Sequence, residues 1–172
     1  FGLYRWSSGS DCHPAGHDDY AGWVTRVFSR SPVGCPSMSG NEILEDLFFI
    51  ERGYLNCNHF VYKSAAPILI DTGYIGDFSE TESLIKGLGV DVSDVALIIS
   101  THTHCDHIGG NKIIQQKSDC GIALHKVGKH FMDTQDDWGT WWRYYDQEAE
   151  FFKCTHSLED GDILTVGPHE FE

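Results

Sequence analysis

The sequence is short of basic residues and has no long apolar stretch. Lysine and arginine total 12 against 26 aspartates and glutamates, so the formal net charge is −14. Nucleic-acid affinity comes largely from cations that displace counterions from phosphates, so this charge disfavours a nucleic-acid partner. No apolar run approaches the roughly 20 residues needed to cross a bilayer, and no membrane span is expected.

The chain also lacks a signal-peptide pattern and any Cys-x-x-Cys pair. Its scattered cysteines fit neither a zinc knuckle nor a dense disulfide scaffold. We therefore expect a reducing, cytoplasmic location, although an even number of cysteines also permits disulfides. The six are Cys12, Cys35, Cys57, Cys105, Cys120 and Cys154.

The composition indicates one folded domain behind an irregular N-terminal segment. The 172 residues are 41% hydrophobic and 13% aromatic, which suits a globular protein of about one domain. The beginning of the chain is rich in Gly, Ser, Pro and Asp. We therefore predict an N-terminal extension, mostly loop, over residues 1–42 and a domain over residues 43–172.

The pattern of apolar residues predicts strands that alternate with helices. The run Val95–Ser100 is uninterrupted and β-branched, which is typical of a strand covered on both faces. Such alternation predicts a layered α/β fold. The other predicted strands are Leu47–Glu51, His59–Tyr62, Pro67–Ile70, Gly121–Leu124 and Ile163–Val166, with one more beginning near the C-terminus. The predicted helices are Ser79–Leu88, Asn111–Lys117 and Trp138–Phe152.

One segment carries the clearest chemistry, and it directly follows the predicted buried strand. It reads His102-Thr103-His104-Cys105-Asp106-His107. A loop leaving a strand can aim alternate side chains at one point, so His102 and His104 are expected to share a metal. Asp106 and His107 then turn toward a neighbouring position. Imidazole nitrogen and carboxylate oxygen suit zinc, and also iron or manganese.

The order of the motifs resembles the metallo-β-lactamase superfamily. A strand ends in Ile70-Asp71-Thr72-Gly73, a helix and a buried strand follow, and HxHxDH then precedes Ile108-Gly109-Gly110. The resemblance runs from about Leu47 to the C-terminus. It implies an α/β fold of the four-layer αβ/βα type, of which this chain supplies the N-terminal portion.

The resemblance also implies roles for individual residues. His102 and His104 would serve one metal, and Asp106 and His107 a second one, so two zinc ions are expected, with iron or manganese left open. Asp106 is also the expected catalytic carboxylate, which orients or deprotonates the attacking water, although a role as ligand alone stays open. Asp71 would contact one of the metal ligands and fix the orientation of its ring.

The sequence departs from the family pattern in its downstream ligands. The family adds a third His, a bridging Asp and a final His, the first of them soon after a strand like the one predicted near Phe171. Because none is found, we expect the remaining ligands to lie beyond residue 172 in a longer protein. Four other histidines offer substitutes outside the expected motif. They are His125, His130, His156 and His169.

The details of the motif point to the glyoxalase II and lactonase-like branches. His107 differs from the Arg of one group of zinc β-lactamases, and His104 from the Glu of the flavin-linked diiron oxygen reductases. The implied function is a hydrolase that uses a metal-bound hydroxide on a small ester, thioester, lactone or amide. A mono-iron persulfide dioxygenase and a non-catalytic binding module are the alternatives, while the acidic charge opposes a nuclease. The expected partner is a small molecule, and a homo-oligomer stays open.

Other polar and aromatic residues have simpler interpretations. Cys105 is expected to point into packing, and His59 and His125 are read as ordinary strand residues. An aromatic stripe with near-helical spacing is interpreted as core or interface, with Trp141 and Trp142 as candidates for a wall of the substrate pocket. The stripe comprises Trp138, Trp141, Trp142, Tyr145 and Phe152. A polar N-terminal cluster is read as exposed loop; it comprises Asp11, Cys12, His13, His17, Asp18 and Asp19.

Overall fold

The computed structural model describes residues 40–172. The polar cluster between Asp11 and Asp19 and nearly all of the predicted extension lie outside this range. The first described strand begins at Asn41, two residues before the predicted start of the domain, and the boundary itself stays a prediction. Within residues 40–172, none of the helices has the length and hydropathy of a bilayer-spanning segment.

Nine strands and five α-helices make up the described part of the chain, with three short 3-10 turns between them. The strands are β1 (Asn41–Leu44), β2 (Leu47–Ile50), β3 (His59–Tyr62), β4 (Ile68–Ile70), β5 (Leu97–Ile99), β6 (Gly121–His125), β7 (His156–Leu158), β8 (Leu164–Val166) and β9 (His169–Phe171). The helices are α1 (Phe78–Gly87), α2 (Cys105–Ile108), α3 (Asn111–Ser118), α4 (Lys126–Thr134) and α5 (Trp142–Tyr145).

The first seven strands form one mixed sheet in the order of the sequence. Strands β1 to β4 pair antiparallel, whereas β4, β5, β6 and β7 pair parallel. The parallel pairs require crossover connections, and these contain the helices α1 to α5. Strands β8 and β9 form a separate antiparallel hairpin.

Both faces of the large sheet are covered by apolar packing. Ile98 of β5 packs with Ile85 of α1 and Ile114 of α3, and all three side chains are fully buried. The next residue, Ile99, belongs to a second cluster with Val166 of the β8–β9 hairpin. Because successive side chains of a strand point to opposite faces, the prediction of a strand covered on both faces is confirmed.

The long aromatic helix predicted over Trp138–Phe152 is wrong. A 3-10 turn spans Asp137–Thr140, and α5 contains only four residues. Trp141 and Asp146, on either side of α5, have φ angles of 59° and 53°, a left-handed backbone that interrupts a right-handed helix. The chain beyond Asp146 is irregular as far as β7.

The strand predicted near the C-terminus is present. It is β9, which starts at His169 and pairs with β8 through a turn containing Gly167. Gly167 has a φ of 61°, and a Cβ at this position would lie 1.9 Å from the hydroxyl of Tyr62. The turn therefore packs directly on β3 of the large sheet.

Candidate metal centre

Two loops leave neighbouring parallel strands at the same edge of the sheet. Asp71 follows β4, and the segment from Ser100 to His104 follows β5, which pairs with β4 in register. The carboxyl ends of parallel strands are a common location for ligand sites in α/β folds. The topology thus places both sequence motifs next to each other.

Backbone hydrogen bonds join these two loops. The Thr72 amide donates to the carbonyl of His107 at 2.9 Å, and the Gly109 amide donates to the carbonyl of Gly73 at 2.8 Å. The Thr72 hydroxyl adds a buried hydrogen bond to Oδ1 of Asn111 at 2.7 Å. We call these contacts the loop seam. They fix the position of the histidine-rich segment relative to Asp71.

The structure brings three imidazole rings together in this segment. The ring of His102 lies 4.0 Å from that of His107 and 4.4 Å from that of His104, measured between ring centroids. Oδ2 of Asp106 lies 3.6 Å from Nε2 of His107. All four side chains are half-buried. The four predicted metal ligands therefore lie side by side.

Asp71 holds this cluster from the buried side. Its side chain, in a residue only 4% exposed, accepts hydrogen bonds from the amide of Thr101 at 2.8 Å and from its hydroxyl at 2.7 Å. Oδ2 of Asp71 also lies 2.9 Å from Nδ1 of His107. This hydrogen bond favours a proton on Nδ1, so that Nε2 faces Asp106 and carries the lone pair when the ring is neutral.

Burial and mutual charge set the protonation of the cluster. Burial lowers the pKa of His102, and the neighbouring His107 and His104 lower it further. Burial also lowers the pKa of His104, although Asp106 acts in the opposite direction. Burial alone would lower the pKa of His107, but the hydrogen bond and the charge of Asp71 outweigh it and raise this pKa. His102 and His104 are therefore held as neutral imidazoles, the form that binds metal.

The donor set fits a divalent metal. Zinc, iron and manganese all accept a set of three imidazoles and one carboxylate. A buried carboxylate orients one of the three rings, as is common in metal sites. His102, His104, Asp106 and His107 could hold such an ion.

A second set of donors lies behind the cluster. Donor atoms of Cys57, Asp71 and His107 are all within 4.8 Å of one another. Burial, and next the charge of Asp71, raise the pKa of the Cys57 thiol to about 12. An ion bound at this set would have to displace the thiol proton, whereas neutral imidazoles bind a metal without losing a proton. Sequence analysis missed Cys57, because no spacing connects it to either motif.

The other histidines considered in the sequence lie elsewhere. His59 is fully buried, and no partner of its Nε2 is found among the described residues; burial and Arg52 lower its pKa to about 4. Nδ1 of His125 accepts from the amide of Val127 and caps α4. His156 contacts Thr155, and Nε2 of His169 donates to the carbonyl of Glu45.

An aromatic segment borders the imidazole cluster. The ring of Trp141 lies 4.7 Å from that of His104. Trp142 points instead to the core, where its ring packs 4.8 Å from that of Phe151. Of the two candidates for a pocket wall, the structure thus brings only Trp141 to the cluster. Cys105 is buried and donates to Oε1 of Gln147 at 3.1 Å, in accord with a packing role.

Comparisons with known proteins agree with this architecture. A family model described as "Metallo-beta-lactamase superfamily" matches residues 52–170. The structure resembles BJP-1, a subclass B3 metallo-beta-lactamase of Bradyrhizobium japonicum, with a TM-score of 0.64 and 22% identity over 78% of this chain and 51% of that one. It also resembles the FEZ-1 metallo-beta-lactamase of Legionella gormanii, with a TM-score of 0.60 and 18% identity over 77% of this chain and 49% of that one.

A curated relative has a different activity in its name. The exodeoxyribonuclease YycJ of Bacillus anthracis is 31% identical over 67 residues, which cover 39% of this chain and 25% of the relative. The chain spans about half the length of the solved structures above. These likenesses confirm the expected fold class, of which the chain forms a part. They do not support the prediction that the protein has no nucleic-acid partner, because the curated relative is a nuclease.

Proposed function

Because the chain belongs to the metallo-beta-lactamase superfamily, we propose that it is a metal-dependent hydrolase whose metal ligands include His102, His104, Asp106 and His107. Membership confirms the family resemblance seen in the sequence. Its substrate is proposed to be a small ester, thioester, lactone or amide, and its cofactor zinc, with two ions at full occupancy.

One observation carries the proposal. Three half-buried imidazoles and one carboxylate lie together at the carboxyl edge of the sheet, and Asp71 orients one of the rings from behind. A buried carboxylate that orients a neighbouring histidine is not expected in a polar loop that binds no ligand. In metal sites such outer carboxylates orient the ligands and increase their affinity.

The residues of the cluster divide the chemical work. A divalent metal held by these residues would lower the pKa of a water molecule toward about 7 and would polarise the oxygen of a carbonyl. Asp106 is a half-buried carboxylate beside Nε2 of His107, and it would orient the attacking water and accept its proton. Asp71 accepts a hydrogen bond from Nδ1 of His107 and so keeps this ring in place. The neutral rings of His102 and His104 add no positive charge that would repel the ion.

Metal analysis and esterase assays test this proposal together. We expect the purified protein to contain zinc by plasma mass spectrometry and to hydrolyse p-nitrophenyl acetate or a simple lactone. The double variant H102A/H104A should lose both properties, whereas H130Q, at an exposed histidine outside the cluster, should keep them. Zinc content unchanged in the double variant would contradict the ligand assignment. One iron and no zinc would favour the dioxygenase alternative.

Phosphodiester hydrolysis is a second candidate. It is favoured by the name of the curated relative, an exodeoxyribonuclease. The net charge of −14 opposes it, because phosphates would be repelled. Assays with bis-p-nitrophenyl phosphate and with a 5′-labelled single-stranded DNA decide between the two. Cleavage of either, without hydrolysis of carboxylic esters, would replace the leading candidate.

A cytoplasmic location is also proposed. The four cysteines between residues 40 and 172 are buried free thiols, which suits a reducing compartment. Fractionation of cells that express the native gene would test this location.

A further inference from the structure

A groove of about 300 Å³ lies beside the imidazole cluster, and aromatic rings form most of its lining. Its walls are Trp138, Trp141 and Tyr144, together with Asp137 and Arg143. Trp138 and Tyr144 are 80% and 76% exposed, and the rings of Trp141 and Tyr144 meet at 62° with their centroids 5.2 Å apart. Concave sites lined by aromatic side chains and a few polar groups are typical binding places for small molecules.

Trp141 connects this groove to the candidate metal centre. Its ring lies on the groove and also 4.7 Å from the ring of His104. A group bound in the groove would therefore lie next to the indole ring that contacts His104. On this geometry, we propose that the groove binds a planar, uncharged aromatic group of one or two rings that forms part of the substrate. The inference rests on the proposed hydrolase function for its connection to chemistry.

The position of Trp141 is fixed by contacts on both sides of it. The hydroxyl of Thr103, which stands between two proposed ligands, donates to the carbonyl of Gly139 at 2.5 Å. On the other side, Gln147 donates to the carbonyl of Leu55 at 3.0 Å. The wall of the groove is thus attached to the histidine-rich loop itself. A preformed wall costs less entropy on binding than a mobile one.

The charges of the groove favour an uncharged ligand. Arg143 is the cation of its lining, and Nη2 of Arg143 lies 2.6 Å from Oδ2 of Asp137. The lining therefore contains one cation and one anion in contact with each other and has no net charge. A stacked nucleobase would bring a phosphate backbone with it, against a protein of net charge −14. The aromatic rings and the neutral lining together select a flat ring without charge.

Binding of 2-naphthol to the full chain tests the inference apart from catalysis. The indole N–H resonances of a ¹⁵N-labelled sample are followed during a titration. We expect selective shifts of the Trp138 and Trp141 signals, and a Kd weakened about tenfold in W141A and in W138A. W141F should recover most of the affinity. Y54A, which removes an exposed ring outside the groove, is the matched control and should bind as the native chain does.

The outcomes separate this inference from the proposed function. Saturable binding that W141A weakens and Y54A does not supports the groove, whatever the esterase assays return. No saturable binding overturns it, even if the chain hydrolyses p-nitrophenyl acetate. Binding of a short oligothymidylate at the same indole signals, tighter than that of 2-naphthol, also overturns it and assigns the groove to a nucleic acid. In an active enzyme, methyl 2-naphthoate should be hydrolysed with a lower KM than methyl acetate.

Discussion

Asp71 accepts a hydrogen bond from Nδ1 of His107 at 2.9 Å, although the two residues are 36 positions apart in the sequence. The contact depends on the parallel pairing of β4 and β5, which brings the ends of both strands to one edge. It leaves Nε2 of His107 facing Asp106. A buried carboxylate thereby determines which nitrogen of the ring is available as a ligand.

The Asp71 carboxylate should increase the affinity for metal. We expect D71N to weaken zinc binding about tenfold to a hundredfold, because the amide holds the His107 ring less firmly. Asp71 has a φ of 60°, which Asn tolerates, so this change alters the charge and leaves the backbone unstrained. The zinc Kd is measured by competition with a chromogenic chelator. D119N, the same change at another left-handed but exposed position, is the control; equal values for both variants would refute the role of Asp71.

The loop seam requires glycine at position 109 for steric reasons. Its φ is −59°, which any residue adopts, but a Cβ there would lie 2.1 Å from the amide nitrogen of Ile75. We expect G109A to destabilise the fold by about 2 kcal/mol or more, since backbone atoms must move apart. A Cβ at Gly53 meets no atom within 4 Å, so G53A should change the stability by less than about 0.5 kcal/mol. Urea denaturation of both variants measures this, and similar midpoints would be inconsistent with the seam.

Buried His59 should make stability depend on pH. Its pKa is lowered to about 4, while an unfolded chain has a His pKa near 6.5. Below about pH 6.5 the unfolded state binds a proton that the folded state does not. The free energy of unfolding should therefore be highest above pH 6.5 and fall by up to about 3 kcal/mol as the pH approaches 4.

Urea denaturation with a metal chelator present, at pH 7 and at pH 4.5, measures this effect. H59Q should show a clearly smaller difference between the two pH values than the native chain. H130Q, at an exposed histidine, should show the native difference. An unchanged difference in H59Q would assign the pH dependence to other groups.

Gln147 should join the aromatic segment to the site. Its side chain accepts from Sγ of Cys105 at 3.1 Å and donates to the carbonyl of Leu55 at 3.0 Å, and the residue is 8% exposed. We expect Q147A to lower the stability by about 1–3 kcal/mol, because buried partners lose their hydrogen bonds. Q116A, on the exposed side of α3, is the matched control and should lie within about 0.5 kcal/mol of the native value. Thermal or urea denaturation measures both stabilities. If Q147A and Q116A are equally stable, Gln147 does not join the aromatic segment to the site.

The sequence was most informative where local pattern and burial agree. β3 occupies the four residues predicted for it, since the buried Val61 lies in a run of strand-forming residues. The histidine-rich segment is compact for a similar reason, because its proposed ligands are six residues or fewer apart after a buried strand. Its contact with Asp71 is a product of the sheet topology, and only the family resemblance suggested it.

Other elements depend on contacts that a local pattern does not contain. The aromatic stripe was read as a helix, yet Asp136 accepts from the amide of Trp138 and begins a 3-10 turn that Trp141 ends. Helix α4 was missed because it contains Gly128, where a Cβ would lie 2.9 Å from Leu124 and Thr103. Strand β7 is polar and largely exposed, and it is defined by its pairing with β6.

Gly139 and Gln147 make hydrogen bonds that attach the aromatic segment to the histidine-rich loop, and this matters for engineering. Directed evolution could randomise the surface positions 138, 141 and 144 while every backbone contact behind the histidines stays intact. Such libraries would sample new substrate specificities while the proposed metal ligands stay unchanged. Inactive variants should therefore still fold and bind metal.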